Sequence, residues 1–322
     1  MSALAGRRLA MYVFLCAVWG STWLAIKIGL RDLPPLRFAG VRMALACVFL
    51  TPFAAWKAGP AAAAGPAARR TADRAWVAWS GFLQIGVAYA CIFLAEERID
   101  SGLSALLFAT FPIFVGIFGH FLLPEEPFTR RAMLSALLGL VGVAVVQGRA
   151  LVDAVATAES RSLAVGGALI LASAIAAAYA NIVNKKHLPR VSPFRNVWGQ
   201  TLTGSAALLL AAAAFERGAP ARWTPSAIGA VLYLAIVGTA LPFVGLFWLL
   251  RRVPVAVIGT IPVVDTVIAV VLGNVVLGET LSPRILGGGA LILLGVLLAA
   301  IPAPAPTARR SAARAASDSP TR

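Results

Sequence analysis

The stretch that decides the fold is LAMYVFLCAVWGSTWLAIKIGL, residues Leu9–Leu30, in which Lys27 is the only charged side chain. A helix needs about 20 apolar residues to cross the roughly 30 Å of a bilayer's hydrocarbon core, and this stretch supplies them without a break. A strand of a membrane barrel would instead show about ten residues of alternating polarity. The pattern therefore predicts a transmembrane helix.

The rest of the chain repeats this pattern. Of its 322 residues, 60% are hydrophobic and 13% are charged, whereas soluble domains carry about 25% charged residues. Backbone polar groups inside a bilayer must be satisfied within the protein, which favours helices. We therefore predict an all-α membrane protein of ten transmembrane helices with almost no soluble part. The predicted spans are 9–29, 36–56, 76–95, 101–123, 132–148, 163–184, 197–215, 226–250, 253–277 and 284–302.

The net charge of +15 is spread between the apolar runs and comes with no nucleic-acid motif, so no nucleic-acid partner is expected. Eighteen Lys and Arg residues fall on one side of the predicted membrane and eight on the other. The richer side is expected to be cytoplasmic. This places both termini in the cytoplasm and the chain in the cell (inner or plasma) membrane. The segment 303–322, basic and rich in Pro and Ser, is predicted to be a disordered tail.

The two halves of the chain resemble each other. Pro35 and Arg37 lie 158 residues before Pro193 and Arg195, with no gap between the matched stretches. Each half holds five predicted spans, and because five is odd the halves would insert in opposite directions. Inverted repeats of this kind are typical of secondary transporters. The two five-helix repeats are predicted at 1–148 and 163–302.

Several motifs resemble the drug/metabolite transporter superfamily, specifically its EamA-type repeat. They are Trp19-Gly20-Ser21-Thr22, the block AEERIDSGLSALLFATFPIFVGIFGHFLLPEE at 95–126, and the block RRVPVAVIGTIPVVDTVIAVVLGNVVLGETLS at 251–282. The resemblance covers residues 9–301. It implies a central cavity between the halves, alternating access, and transport of amino acids, other metabolites or drugs. Export is the direction that we expect.

One departure from the family pattern affects the ninth span. Relatives usually carry a proline where this chain has Thr266, and its nearest proline is Pro262, one turn earlier. We therefore expect the helix bend to be displaced by one turn.

Two charged residues stand inside predicted spans. A charge at mid-membrane costs at least about 2.5–3.5 kcal/mol on insertion scales, so it requires a partner or a wet cavity. Asp265 either binds a cationic group or a proton, or pairs with a neighbouring helix. Arg42 binds an anionic group, pairs with Asp265, or serves packing alone. Lys27, at a span end, is expected to snorkel to the interface.

Polar and aromatic residues without charge form a second set of substrate-binding candidates, each of which also fits a role in helix–helix contact. They are Trp19, Thr22, Trp23, Gln84, Tyr89, Tyr179, Asn181, Gln200 and Asn274. Glu97, Glu125 and Glu279 lie at span ends, where solvated caps are expected. Ser135 and Gly139, four residues apart, predict close helix packing.

These features favour a secondary transporter with a small-molecule substrate, and they leave proton coupling open. The alternatives are a membrane receptor or scaffold and a membrane-embedded enzyme. No catalytic, metal-binding or nucleotide-binding motif is present in the sequence. No cofactor is therefore expected, and ion or substrate gradients are the expected energy source. The sequence specifies no oligomeric state.

Overall fold

The computed structural model describes residues 3–56, 67–123, 130–153, 157–250, 252–253, 257–258 and 260–300. All regular secondary structure within these residues is helical, which confirms the all-α prediction. The predicted disordered tail at 303–322 and the predicted cap Glu125 lie outside the described residues.

Thirteen α-helices are described, and two π-helical segments join neighbouring helices into longer rods. The α-helices are α1 (Ala3–Gly29), α2 (Pro35–Trp56), α3 (Ala67–Gly81), α4 (Ala88–Glu96), α5 (Ser101–Phe108), α6 (Phe111–Leu122), α7 (Arg130–Asp153), α8 (Ala158–His187), α9 (Pro193–Phe215), α10 (Pro225–Leu232), α11 (Leu241–Leu250), α12 (Ile261–Leu277) and α13 (Pro283–Ala300). The segment Phe82–Val87 joins α3 to α4, and Tyr233–Ala240 joins α10 to α11.

Seven helical runs in the described part of the chain are long and apolar enough to cross a membrane. They are Gly6–Gly29, Pro35–Ala54, Thr71–Glu96, Ser101–Leu122, Ala158–His187, Pro193–Phe215 and Pro225–Leu246. Three shorter apolar helices accompany them, at Met133–Gly148, Ile261–Leu277 and Pro283–Leu298. The chain is thus a multi-pass membrane protein.

Some helices extend beyond their predicted spans because the polar residues that flank the apolar run also stabilise helix ends. The clearest case is α8, which the sequence places at 163–184. Its N-terminus is capped by Thr157, whose side chain accepts from the backbone N–H of Ser160, with Glu159 in the first turn. Lys185 and Lys186 stand in its last turn. Acidic residues near the start and basic residues near the end of a helix complement its dipole.

Helices of the first half pack mainly against helices of the second half. The contacts join α1 to α12, α2 to α9, α7 to α13, and α8 to both α4 and α6. Small residues let α7 and α13 approach closely: the Ser135 hydroxyl donates to the carbonyl of Gly295 at 2.7 Å. A Cβ added to Gly295 would lie 3.1 Å from the amide nitrogen of Gly139. The prediction of close packing at Ser135 and Gly139 is confirmed.

Large apolar side chains cover the outside of the bundle. Phe121, Val275 and Leu210 are each more than 70% exposed. Large apolar side chains exposed to this degree are typical of a surface that contacts lipid.

Lys27, which was expected to snorkel to the interface, forms specific hydrogen bonds at the end of a neighbouring helix. Its Nζ donates to the backbone carbonyls of Glu96 at 2.6 Å and Ile99 at 2.7 Å. These carbonyls lie at and just beyond the C-terminal end of α4, where backbone acceptors lack helical partners and the dipole favours a cation. The Lys27 side chain therefore ties α1 to the end of α4.

Candidate functional site

A cavity of about 260 Å³ lies at the centre of the bundle, where helices from both halves meet. Its walls are mainly apolar and aromatic, and they contain one basic and one acidic side chain. The lining residues are Trp19, Thr22, Trp23, Ile26, Arg42, Gln84, Ala88, Tyr89, Ile92, Ala105, Phe108, Ala109, Phe111, Pro112, Ala177, Gly238, Phe243, Pro262, Asp265 and Thr266.

Aromatic rings give this cavity a firm wall on the α1 and α5 side. The rings of Trp23 and Phe108 lie 5.6 Å apart, and Phe108 stacks on Phe111 at 5.8 Å with nearly parallel planes. Tilted and offset pairs at these distances stabilise one another beyond their buried area. The wall can therefore keep its shape around an apolar part of a ligand.

Arg42 is 2% exposed and is held by aromatic rings. Its Cζ lies 4.6 Å from the centroid of the Tyr89 ring and 5.4 Å from that of Phe93. A guanidinium over an aromatic face is attracted by the ring quadrupole. Within the described residues its Nε has no hydrogen-bond partner. The Arg42 guanidinium therefore still has an N–H group that can donate a hydrogen bond at the cavity wall.

Asp265 lies in the second turn of α12 and lines the same cavity. Its Oδ1 is 3.4 Å from the hydroxyl of Thr266, which also donates to the carbonyl of Pro262 at 2.7 Å. Among the described residues no ion pair joins Asp265 to Arg42. The hypothesis that these two residues pair with each other is therefore not supported by the geometry, and the cavity presents their charges separately.

Two helix breaks border the cavity, and the second lies at Pro262, where the bend was expected. In the first half α6 begins at Phe111, with Pro112 in its first turn. In the second half α12 begins at Ile261, with Pro262 in its first turn. When the two halves are aligned at an offset of 154 residues, Pro112 matches Thr266. The break in the second half, at Pro262, therefore lies about one helical turn earlier than the break in the first half.

Seven of the eleven candidate residues line this cavity: Asp265, Arg42, Trp19, Thr22, Trp23, Gln84 and Tyr89. Asn181 lies one contact away, because its Nδ2 donates to the side-chain oxygen of Gln84 at 3.0 Å.

The other three candidates lie elsewhere. Tyr179 packs its ring edge against Phe118. Gln200 is buried in a polar cluster and donates to Ser80 and Asn184. Asn274 donates to the backbone carbonyl of Glu279, at the end of α12.

A second, open cavity of about 390 Å³ lies at one end of the bundle, and its lining is mostly charged. We call it the end cavity. It is lined by Lys27, Leu30, Arg31, Glu96, Glu97, Asp100, Leu277 and Glu279. Burial raises the pKa of the Glu97 and Asp100 carboxyls above their ordinary values.

Glu279 closes one side of the end cavity and caps a helix of the other half. Its carboxylate accepts from the backbone N–H of Ser101 at 2.8 Å, from the Ser101 hydroxyl at 2.6 Å, and from the N–H of Gly102 at 2.9 Å. Glu216 does the same for α2, accepting from the N–H of Leu36 at 2.7 Å. The expected solvated cap at Glu279 is therefore a bridge between halves.

Glu96 is a buried acid that sequence reasoning passed over, because the third span was ended at residue 95. The signal was helical spacing: Glu96 follows the core residues Ile92 and Phe93 by four and three positions, on the same face of α4.

A chain of apolar helices around a central cavity with buried charges has the form of a membrane transporter. It belongs to the EamA-like transporter family, whose model matches residues 8–147 and 164–301. This confirms the resemblance to drug/metabolite transporters.

Several transporters named as uncharacterized or probable are similar to this chain along most of their length. The uncharacterized transporter YoaV of Bacillus subtilis is 27% identical over 87% of this chain and 92% of its own. The uncharacterized inner membrane transporter YedA of Escherichia coli K12 is 27% identical over 86% of this chain and 84% of its own. A probable amino-acid metabolite efflux pump of Salmonella typhimurium is 28% identical over 89% and 92%. A solved crystal structure with 21% identity matches 91% of this chain at a TM-score of 0.61, which supports the fold.

Proposed function

We propose that this chain is a secondary transporter that exports a small zwitterionic metabolite, an amino acid or a related compound, across the cytoplasmic membrane by alternating access. The observation that carries this proposal is the central cavity. There, the buried Arg42 and the carboxylate of Asp265 line one space without forming an ion pair.

The size of the cavity favours a small substrate. Pockets for drug-sized ligands typically occupy about 300–1,000 Å³, and this cavity, at about 260 Å³, lies just below that range. An amino acid fits such a space better than a large drug does.

The two charges suit the two ends of an amino acid. A guanidinium matches the planar geometry of a carboxylate and forms strong charge-assisted hydrogen bonds with it, which assigns the substrate carboxylate to Arg42. The Asp265 carboxylate complements an ammonium group. The aromatic wall formed by Trp23, Phe108 and Phe111 would then contact the apolar part of the substrate. The name of the Salmonella relative, an amino-acid metabolite efflux pump, supports both this substrate class and the export direction.

Alternating access follows from the arrangement of ten spans that we propose, with the seven long runs and the three shorter apolar helices each crossing the membrane. The halves would be inverted repeats with both termini in the cytoplasm. Interrupted helices that meet at a central site are typical of transporters of this design, and the breaks before Pro112 and Pro262 lie at the cavity. The substrate is then exposed to one side at a time as the halves rearrange.

The proposal is tested by counterflow in proteoliposomes loaded with single unlabelled amino acids. The purified chain should accumulate the matching radiolabelled amino acid from outside, without ATP. Arg42→Gln and Asp265→Asn should each lower the initial rate at least tenfold. Asp265→Asn should unfold close to the wild-type temperature, because Asp265 forms no ion pair with Arg42. Arg42→Gln loses the ring contacts with Tyr89 and Phe93, so its transport is measured well below its own unfolding temperature.

Tyr179→Phe is the matched control, since Tyr179 lies outside the cavity, and it should transport normally. Normal counterflow in well-folded Arg42→Gln and Asp265→Asn proteins would contradict the proposed site. Loss of stability in Asp265→Asn that Arg42→Gln restores would instead identify a structural pair. Lipid turnover, proteolysis or ATP hydrolysis that vanishes with one of these substitutions would make the chain an enzyme.

A further inference from the structure

Glu96 is a fully buried acid with no bonding partner. Its exposed fraction is 0%, and within the described residues neither carboxylate oxygen accepts a hydrogen bond. An ionised carboxylate in this condition costs several kcal/mol unless it is neutralised. Such a group has to bind a cation or a proton.

The neighbouring groups have their hydrogen bonds committed elsewhere. Lys27 donates to two backbone carbonyls, one of them that of Glu96 itself, rather than to the Glu96 carboxylate. The carboxylate oxygens of Glu279 accept hydrogen bonds from the backbone N–H groups at the start of α5. Because these hydrogen bonds do not involve the Glu96 carboxylate, Glu96 can gain or lose a proton while Lys27 and Glu279 keep their partners.

Charged groups from three elements act on the Glu96 carboxylate. They are Lys27 from α1, Arg42 from α2 and Glu279, after α12. The other elements packed against α4 add nothing titratable beside it: α5 carries no titratable residue, and α8 carries none between residues 162 and 178. Glu97 and Asp100 share the end cavity with Glu96. Two cations and deep burial therefore act in opposite directions on this single acid.

The position of Glu96 connects two spaces. Lys27 and Glu279 line the end cavity, as does Glu96 itself, whereas Arg42 lines the central cavity. Glu96 therefore lies between the substrate cavity and a charged cavity that is open at one end of the bundle.

We propose that Glu96 is the proton-binding residue of this transporter, loaded from the end cavity and coupled to the central cavity through Arg42. The proposal rests on the proposed transport function and adds the coupling ion to it. In the closed bundle described here, Glu96 is buried and has to be the neutral acid. When the bundle opens and water reaches Glu96, the acid releases its proton and becomes a carboxylate. A metal cation fits less well, because two fixed positive charges lie nearby and hard cations require several oxygen ligands.

The first test needs no substrate. Infrared difference spectra of the purified protein between acidic and alkaline pH should contain, beside the bands of the other titrating acids, a separate band from a protonated carboxylic acid that makes no hydrogen bond. Glu96→Gln should remove that band, and Glu97→Gln, Asp100→Asn and Asp265→Asn should keep it. Gln has the shape of the neutral acid, so this variant should fold. If Glu96→Gln does not fold, Glu96→Asp should shift the band. An unchanged acid band in either Glu96 variant overturns the proposal.

The second test separates coupling from transport. In proteoliposomes a pH gradient should change the initial rate of amino-acid transport by at least fivefold in wild type and in Glu159→Gln, whose side chain is exposed in the first turn of α8 and lines neither cavity. Glu96→Gln should exchange amino acids at equal pH but ignore the gradient. A gradient response preserved in Glu96→Gln overturns the coupling role alone. Absence of exchange in wild type refutes the proposed function, and the infrared result still decides whether Glu96 binds a proton.

Discussion

At the scale of single residues, Lys27 shows how a cation at the end of an apolar span is used inside the bundle. Its ammonium group holds two carbonyls at the end of α4. Hydrogen bonds to charged groups contribute about 1.5–3 kcal/mol each. We expect Lys27→Met to destabilise the protein by about 3 kcal/mol, the lower end of the range for two such bonds, because the stem of the side chain is kept and the bonds are lost. Thermal unfolding in detergent measures the effect.

Arg31→Met is the control for that substitution. Arg31 lines the same cavity but is exposed, and surface changes usually alter stability by no more than about 0.5 kcal/mol. Equal unfolding temperatures for the two variants would show that the Lys27 bonds contribute nothing.

The sequence could identify the charged residues of the site better than the uncharged ones. Arg42 and Asp265 stand out because a charge in an apolar span has to be explained by its surroundings. Gln200 and Asn274 are equally polar in the sequence, yet Gln200 is buried in a side-chain cluster and Asn274 binds the backbone carbonyl of Glu279, just beyond the end of α12. Polarity alone does not reveal which way a residue faces around a helix. Glu96 was missed for a different reason, since it was placed just outside a span.

At the scale of helices, the contact between α12 and α5 depends on a glycine. A Cβ added to Gly273 would lie 2.2 Å from a carboxylate oxygen of Glu279 and 3.1 Å from the Ser101 hydroxyl. Gly273→Ala should therefore displace the Glu279 cap from α5 and lower stability by about 1–3 kcal/mol, the cost of buried polar groups left unpaired. Chemical or thermal unfolding of the purified variant provides the measurement.

Gly287 in α13 is a matched position with open space, since a Cβ there meets nothing within 4 Å. Gly287→Ala should leave stability unchanged or raise it by up to about 1 kcal/mol, because Ala favours helix over Gly. If both glycine variants behave alike, the cap is not what requires Gly273.

Helix ends also explain why boundaries were harder to predict than spans. Apolar length sets where a helix can lie in the bilayer, but caps decide where it stops. Thr157 extends α8 beyond the predicted span, and the break before Pro262 follows from proline chemistry that the sequence made visible.

At the scale of the whole molecule, the prediction concerns topology. In a variant lacking Cys16, Cys47 and Cys91, a single cysteine at position 31 should react with a membrane-impermeant maleimide on intact cells. A single cysteine placed after Pro306 should react only after the membrane is opened. The reason is that the ten crossings that we propose would place position 31 and the residues after Pro306 on opposite sides.

Labelling of both positions from outside, or of neither, would contradict the ten-span arrangement and the inverted repeat built on it. A cysteine at Leu210, on the apolar outer face of α9, serves as the control and should stay unlabelled by a polar reagent in both conditions.

The two π-helical segments, Phe82–Val87 and Tyr233–Ala240, each contribute a residue to the cavity wall, Gln84 and Gly238. A π turn holds one residue more than the α turn it replaces. Each of these two helices therefore contains a residue more than a regular α-helix of the same length would need. Deleting a single residue there converts the turn to regular α-helix and leaves both flanking segments in their places. The same deletion in an uninterrupted helix such as α2 turns everything beyond it by about 100°. Tolerance to loss of one residue is thus concentrated in the two helices whose π-helical turns line the central cavity.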